Sequence, residues 1–276
     1  MDKFEKICKD IKEVKIQGAE NIAKAAARAM LLKHDKQSIK KLMSLRPTEP
    51  CLRNTIKFVL MHKDINEGVS KALEHFDNSK KRIAQIGSRI IEDNSTIFVH
   101  CHSSAVLDIL KEAKERGKKF HVYSTETRPL FQGRITAKEL AKMNIKVTHI
   151  IDSAARIALK KSDLMLIGCD AITTTRIYNK VGSEMFAIIA KKYNIPVYVA
   201  TDSWKFDPKS IFGIKEKIEE RNPKEIWQNA PKGIEIKNYA FEAIDPILVD
   251  GIISELGLFM DKSFIEEVKK NYPMLF

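Results

Sequence analysis

Residues 96–110 read TIFVHCHSSAVLDIL. The segment opens with β-branched and aromatic residues, the composition of a buried strand, and closes with apolar residues at three- and four-residue steps, the pattern of a helix face. Two serines, good helix N-caps, stand between the two patterns. A strand that passes into a helix through a short polar turn is half of a parallel β-α-β unit. The same reading recurs downstream. FHVYS, VTHIID, LMLIG and PVYVA are strand-like, and AVLDILKEAKER, AKELAKMN, SAARIALKK and SEMFAIIAKKYN between them are helix-like. Alternation at this spacing predicts a parallel sheet with helices on both faces.

Upstream of residue 95 the strand signal is missing. NIAKAAARAMLL, CLRNTIKFVLMH and VSKALEHF carry apolar residues at helical spacing, broken at HDKQS, LRPTEP and KDINEG. The expected organisation is an α/β protein with an N-terminal helical domain over 1–94 and a Rossmann-like domain over 95–276. The charged, irregular stretch 212–237 is expected to be a surface excursion.

The 276 residues carry a formal charge of +12, with 44% hydrophobic and 30% charged residues. No apolar run approaches the roughly 20 residues a membrane helix needs, and the charged MDKFEKICKD start does not read as a signal peptide. The excess charge is mostly lysine, 37 Lys against 11 Arg, spread in pairs without a basic tail or interleaved aromatics. That pattern is a solvated surface rather than a nucleic-acid footprint, and small acidic molecules such as phosphates suit it. The four cysteines, at 8, 51, 101 and 169, form no C-x-x-C pair and no crowded scaffold, which predicts a reducing, cytoplasmic compartment.

In an open parallel sheet, ligands collect beyond the carboxyl ends of the strands. Those positions are polar here: Cys101 to Ser104, Thr125 to Arg128, Asp152, Cys169-Asp170, and Thr201 to Ser203. Neither a G-x-G-x-x-G after the first strand nor a P-loop occurs, which excludes the common nucleotide-binding motifs. Three readings of His100-Cys101-His102 are open. As a metal site it is short of ligands, because alternation sends the histidines one way and the thiol the other. As packing, Cys101 is one more buried thiol. As a reactive group, it stands before a helix whose N-terminus favours anions, which predicts a pKa lowered toward neutrality. Asp170 has two readings: a turn or cap residue, or a partly desolvated carboxyl at the sheet rim that acts as a general acid.

The runs HCHSS, ETRPLFQGRITAKEL, GCDAITTTRIYNKVGS and WKFDP, with IQGAENIAKAAARAM and SLRPTEPCLRNTIKFVL before them and GIISELGLF after, span nearly the whole chain in one order. This series resembles the superfamily that contains ribose-1,5-bisphosphate isomerases, 5-methylthioribose-1-phosphate isomerases and the alpha, beta and delta regulatory subunits of the translation initiation factor that exchanges guanine nucleotide. The resemblance implies catalytic roles for Cys101 and Asp170. It implies substrate contacts at Gln17, Gly18, Ala19, Arg46, Ser103, Arg128, Gln132, Asn179, Lys180 and Lys205. HCHSS in a short chain is most similar to the ribose-1,5-bisphosphate enzymes.

An aldose–ketose isomerase is therefore expected, converting ribose 1,5-bisphosphate to ribulose 1,5-bisphosphate with Cys101 as thiolate base and Asp170 as acid, without metal or redox cofactor. The resemblance further implies a homo-oligomer, dimer or hexamer, and activation by AMP. The alternatives it offers are a regulatory initiation-factor subunit and an isomerase of methylthioribose 1-phosphate or another phosphosugar. Three positions depart from the isomerase pattern. Gln17 replaces an arginine, the segment from Asp170 to Asn179 is one residue short and lacks a glycine, and EAIDP replaces a T-P-P turn.

Overall fold

The computed structural model describes residues 2–46, 48–214, 218 and 220–276. Its first part is helical: α1 (Lys3–Lys12), α2 (Ala19–Met30), α3 (Lys36–Ser44), α4 (Pro50–Leu60) and α5 (Ile65–Gly87). Asp2, Asp35 and Asp64 cap α1, α3 and α5 by accepting first-turn N–H groups, and Pro50 opens α4 where no N–H is needed. Helix α2 buries Ala23, Ala26, Ala27 and Ala29 together with Ile22 and Met30, and this small-residue face lets α4 and α5 lie close against it.

The sheet begins at β1 (Ser95–Val99) and continues as α6 (Ser104–Glu115), β2 (Phe120–Thr125), α7 (Gln132–Lys142), β3 (Lys146–Ile150), α8 (Ala155–Leu159) and β4 (Leu164–Gly168). A hairpin of β5 (Ala171–Ile172) and β6 (Ile177–Lys180) follows, then α9 (Ser183–Lys192), β7 (Val197–Ala200), β8 (Phe241–Ile244), β9 (Gly251–Ser254), β10 (Gly257–Phe259) and α10 (Asp261–Asn271). The main sheet has the order β10-β9-β7-β4-β1-β2-β3, parallel except for β10, and β5, β6 and β8 form a small antiparallel sheet beside it.

Helices cover both faces, as the alternating pattern predicts. Phe98, Met165, Ile167, Val197 and Ile252 join one core, shared with α1, α2, α4, α5, α9 and α10. Ile97, Val99, Leu164, Leu166 and Ile253 point the other way, into a core with α6 and α7. All five residues of β4 are buried, each large aliphatic among them contributing about 1.5–3 kcal/mol.

Chain order reverses between β1 and β4. From β1 the chain moves outward to β2 and β3, then returns to β4 and proceeds to β7 and β9. The loops after β1 and β4 therefore diverge and leave a crevice between them. Gly168 is required where they start: a Cβ there would lie 2.5 Å from Ser103 Oγ. The segment from Asp170 to Asn179, whose length departs from the isomerase pattern, forms the β5–β6 hairpin, in which Ile172 and Ile177 pair and both are buried. The stretch 212–237 is largely exposed and irregular, with one 3-10 turn at Pro223–Glu225; its positions 215–217 and 219, and Pro47 of SLRPTEP, lie outside the described residues.

Candidate active site

Strand β1 ends at Val99, and α6 starts at its cap Ser103, whose side chain accepts the Val106 N–H at 3.4 Å. Three residues must turn the chain between them. Cys101 does so with φ +66°, a left-handed conformation that residues with a Cβ adopt only when held. Thr127 Oγ1 accepts the Cys101 N–H at 3.0 Å, and Thr136 Oγ1 donates to the Cys101 carbonyl at 2.9 Å. The thiol faces a cleft and makes a long contact of 3.8 Å to Gln132 Oε1. Burial pushes it up to about 11, against the opposing pull of Lys180 and of the His102 N–H. This corrects the expectation of a thiol lowered toward neutrality: desolvation at the bottom of the crevice outweighs the helix N-terminus.

The flanking histidines have separate tasks. His100 is buried, bonded through Nδ1 to Thr125 Oγ1 at 2.6 Å and through Nε2 to the Val181 carbonyl at 3.0 Å, and burial lowers it to about 4, so it is neutral. His102 is exposed and bonded to Thr136 Oγ1 at 3.1 Å. Both nitrogens of His100 are engaged, which removes it from the metal reading.

The cleft, about 440 Å³, lies at the β1/β4 crevice under the start of α2. It is lined by Gln17, Gly18, Ala19, Arg46, Cys101, Ser103, Gln132, Asp170, Asn179, Lys180 and Lys205, eleven of the twelve positions expected from sequence. Asp170 reaches it from the end of β4, with its backbone N–H donating to the Tyr178 carbonyl at 2.8 Å. Gly18, φ +86°, turns the chain into α2 without a side-chain cap. Arg46 is buried beside Glu49, 3.3 Å away. Arg128 does not join them: its exposed guanidinium lies over the Phe131 ring and donates to the Ile226 carbonyl at 3.2 Å.

Two ammonium groups stand out. Lys180 is 5% exposed and lies over the Phe241 ring, and its field reaches Cys101. Lys205 Nζ donates to the Cys169 carbonyl at 2.7 Å; burial works to lower its pKa, but Cys169 and Asp170 raise it further, so the charge is kept. The carboxylates of Asp170 and Asp202 act on Lys205 through their charge, and the nearby cations Arg221 and Lys80 pair with Glu225 and Asp108. An anion entering the cleft meets both ammonium groups.

Several cleft residues escaped the sequence reading. Arg221 arrives from the surface excursion and Lys80 from α5, and no local pattern marks either. Asp202, noted from sequence among the polar positions after the strands but not as a site residue, also lines the cleft and pairs with His75 at 3.1 Å.

A doubly wound sheet with a polar, charge-lined cleft at its switch point defines a Rossmann-like α/β fold. The chain belongs to the initiation factor 2 subunit family, whose sequence profile matches residues 10–261. It is similar to a ribose 1,5-bisphosphate isomerase of Methanocaldococcus jannaschii, with 37% identity over 94% of this chain and 92% of that protein. A ribose 1,5-bisphosphate isomerase of Thermococcus kodakarensis shares 35% identity over 96% of this chain and 94% of its own length. Among solved structures, the translation initiation factor eIF-2B of Pyrococcus horikoshii OT3 superposes with a TM-score of 0.84 at 27% identity, covering 94% of this chain and 98% of that one.

Proposed function

We propose that this protein is an aldose–ketose isomerase that converts ribose 1,5-bisphosphate to ribulose 1,5-bisphosphate. The observation that carries the reading is the pair of ammonium groups, Lys180 buried and Lys205 half-buried, in the cleft that also holds Cys101 and Asp170. A substrate with two phosphates suits these two cations, with further donors at Ser103, Asn179 and the uncapped start of α2.

The reaction needs the ring opened, a proton taken from C2 and one delivered to C1. The raised pKa of Cys101 and its contact with Gln132 Oε1 favour a thiol that enters with its proton on sulfur. The roles are then the converse of those expected from sequence. The thiol protonates the ring oxygen as its bond to C1 breaks, and Asp170 takes the C2 proton. Asp170 then returns that proton to C1 while the C2 hydroxyl proton passes to sulfur, so both groups end as they began.

Exposed Ile151, Ile157, Met185, Ile188 and Ile247, on and beside the contacting helices α8 and α9, support a homo-oligomer that joins through the sheet half. The test is incubation with ribose 1,5-bisphosphate, with and without AMP, and detection of the ketose product. Turnover establishes the reading, and faster turnover with AMP adds the effector. Turnover of methylthioribose 1-phosphate alone reassigns the substrate. Absence of turnover on either sugar, with stable binding to an initiation-factor subunit, establishes the regulatory alternative that the likeness to eIF-2B supports.

A further inference from the structure

Thr127, which the cleft does not include, governs how Cys101 meets it. Thr127 is fully buried and left-handed, φ +61°, and its Oγ1 accepts the Cys101 N–H at 3.0 Å. Two left-handed residues with side chains, joined by one hydrogen bond, need anchors. Asp152, just beyond β3, supplies the first: its two carboxylate oxygens accept the consecutive N–H groups of Thr127 and Arg128, each at 2.8 Å. The second comes through His100. The Val181 carbonyl only accepts, so His100 Nε2 carries the proton and Nδ1 is an acceptor. Thr125 Oγ1 therefore donates to Nδ1, and its lone pairs face the Thr127 hydroxyl at 3.4 Å. The bonds run one way, from Cys101 N–H through Thr127 and Thr125 to His100, and end on the residue after Lys180.

We propose that Thr127, held by Asp152 and by the His100–Thr125 chain, is a positioning residue that keeps the Cys101 thiol directed into the cleft. Its importance for turnover rests on the reading of Cys101 as a reacting group; its hold on the thiol does not. Without the hydroxyl, the Cys101 amide loses its acceptor and the left-handed conformation loses its support. The residue then relaxes toward extended backbone and the sulfur swings toward solvent. The two histidines of HCH thereby differ in purpose, with His100 orienting the chain that ends at Cys101.

The test compares Thr127→Val, which keeps the shape and removes the hydroxyl, with Thr127→Ser, which keeps the hydroxyl. Two measurements are made on the full chain: iodoacetamide labelling of the Cys101 peptide at pH 8 without substrate, followed by mass spectrometry, and steady-state kinetics with ribose 1,5-bisphosphate. Thr127→Val is expected to label Cys101 at least threefold faster and to lower kcat at least tenfold with KM within about twofold. Thr127→Ser is expected to restore both. If Thr127→Val does not fold, Asp152→Asn, which removes one of the two anchoring acceptors, takes its place and is expected to shift labelling in the same direction. Wild-type labelling in Thr127→Val, or in the folded Asp152→Asn when it stands in, overturns the proposal, as does a Thr127→Ser protein as defective as the valine variant. Full turnover by Cys101→Ser overturns the isomerase mechanism instead, and the labelling comparison still decides the role of Thr127.

Discussion

Lys205 Nζ donates to the carbonyl oxygen of Cys169, 2.7 Å away, on the residue that precedes Asp170. The bond ties this half-buried cation of the cleft lining to the strand end that carries Asp170. Lys205→Ala should fold and should raise KM for a bisphosphate at least about tenfold with a smaller change in kcat, because phosphate contacts serve ground and transition states alike. Steady-state kinetics check this, and a defect confined to kcat would count against the assignment.

Cys101 should react slowly with iodoacetamide at neutral pH. With burial pushing the thiol up to about 11, the thiolate fraction at pH 8 is on the order of one in a thousand and grows tenfold for each pH unit until the pKa is reached. A rate profile that levels off near neutrality would show a lowered thiol and restore the thiolate-base mechanism. Cys101→Ser should keep the fold and lose at least about a hundredfold in turnover, since a hydroxyl is the weaker acid.

Asp170→Asn should retain substrate binding and lose most turnover. The amide is nearly isosteric with the carboxylate but neither takes nor returns a proton, so kcat should drop by about two to four orders of magnitude. Unchanged kcat would leave Asp170 with a structural role only.

Gln17→Arg should be tolerated, since the side chain is exposed at the cleft edge and it is the backbone carbonyl of Gln17 that accepts the Asn21 side-chain N–H. The added guanidinium stands beside the uncapped start of α2 and should tighten a bisphosphate several-fold, measured by calorimetric titration. Loss of binding would mean that this chain places its phosphates elsewhere.

Glu255→Gln should flatten the pH dependence of stability. Glu255 is buried against Ser203, and burial, helped by the charge of Asp202, raises it from 4.5 to about 7. Below pH 4 the carboxyl is protonated in both states. Between pH 4.5 and 7 the unfolded chain releases the proton and the folded protein keeps it, so stability falls with rising pH across that window by up to about 3 kcal/mol. Thermal unfolding of wild type and variant at pH 5 and pH 8 checks this: the gap between the two Tm values of the wild type should shrink in the variant.

Local chemistry determined much of this protein. The short, nearly continuous apolar runs in TIFVH and LMLIG marked strands buried on both faces, because a strand's side chains leave it in two directions and both must then be apolar. The polar residues directly after those strands marked where a ligand goes, and Cys101 and Asp170 do share one cleft. The hairpin from Ala171 to Lys180 was less legible, since a two-residue strand carries too little pattern to separate it from a loop.

The tertiary structure decided what those residues are able to do. The acceptor for the Cys101 amide lies 26 residues away, the proton of His100 is fixed by Val181, 81 residues on, and Arg128 is drawn aside by the carbonyl of Ile226, 98 residues on. The helix start after Cys101 is visible in sequence and argues for a lowered pKa. Its burial is not visible, because desolvation depends on how closely the strand ends, α2 and the β5–β6 hairpin close around the sulfur, and burial is the larger effect. Strand and helix positions follow from nearest neighbours along the chain, whereas backbone strain, tautomer and proton affinity follow from neighbours in space.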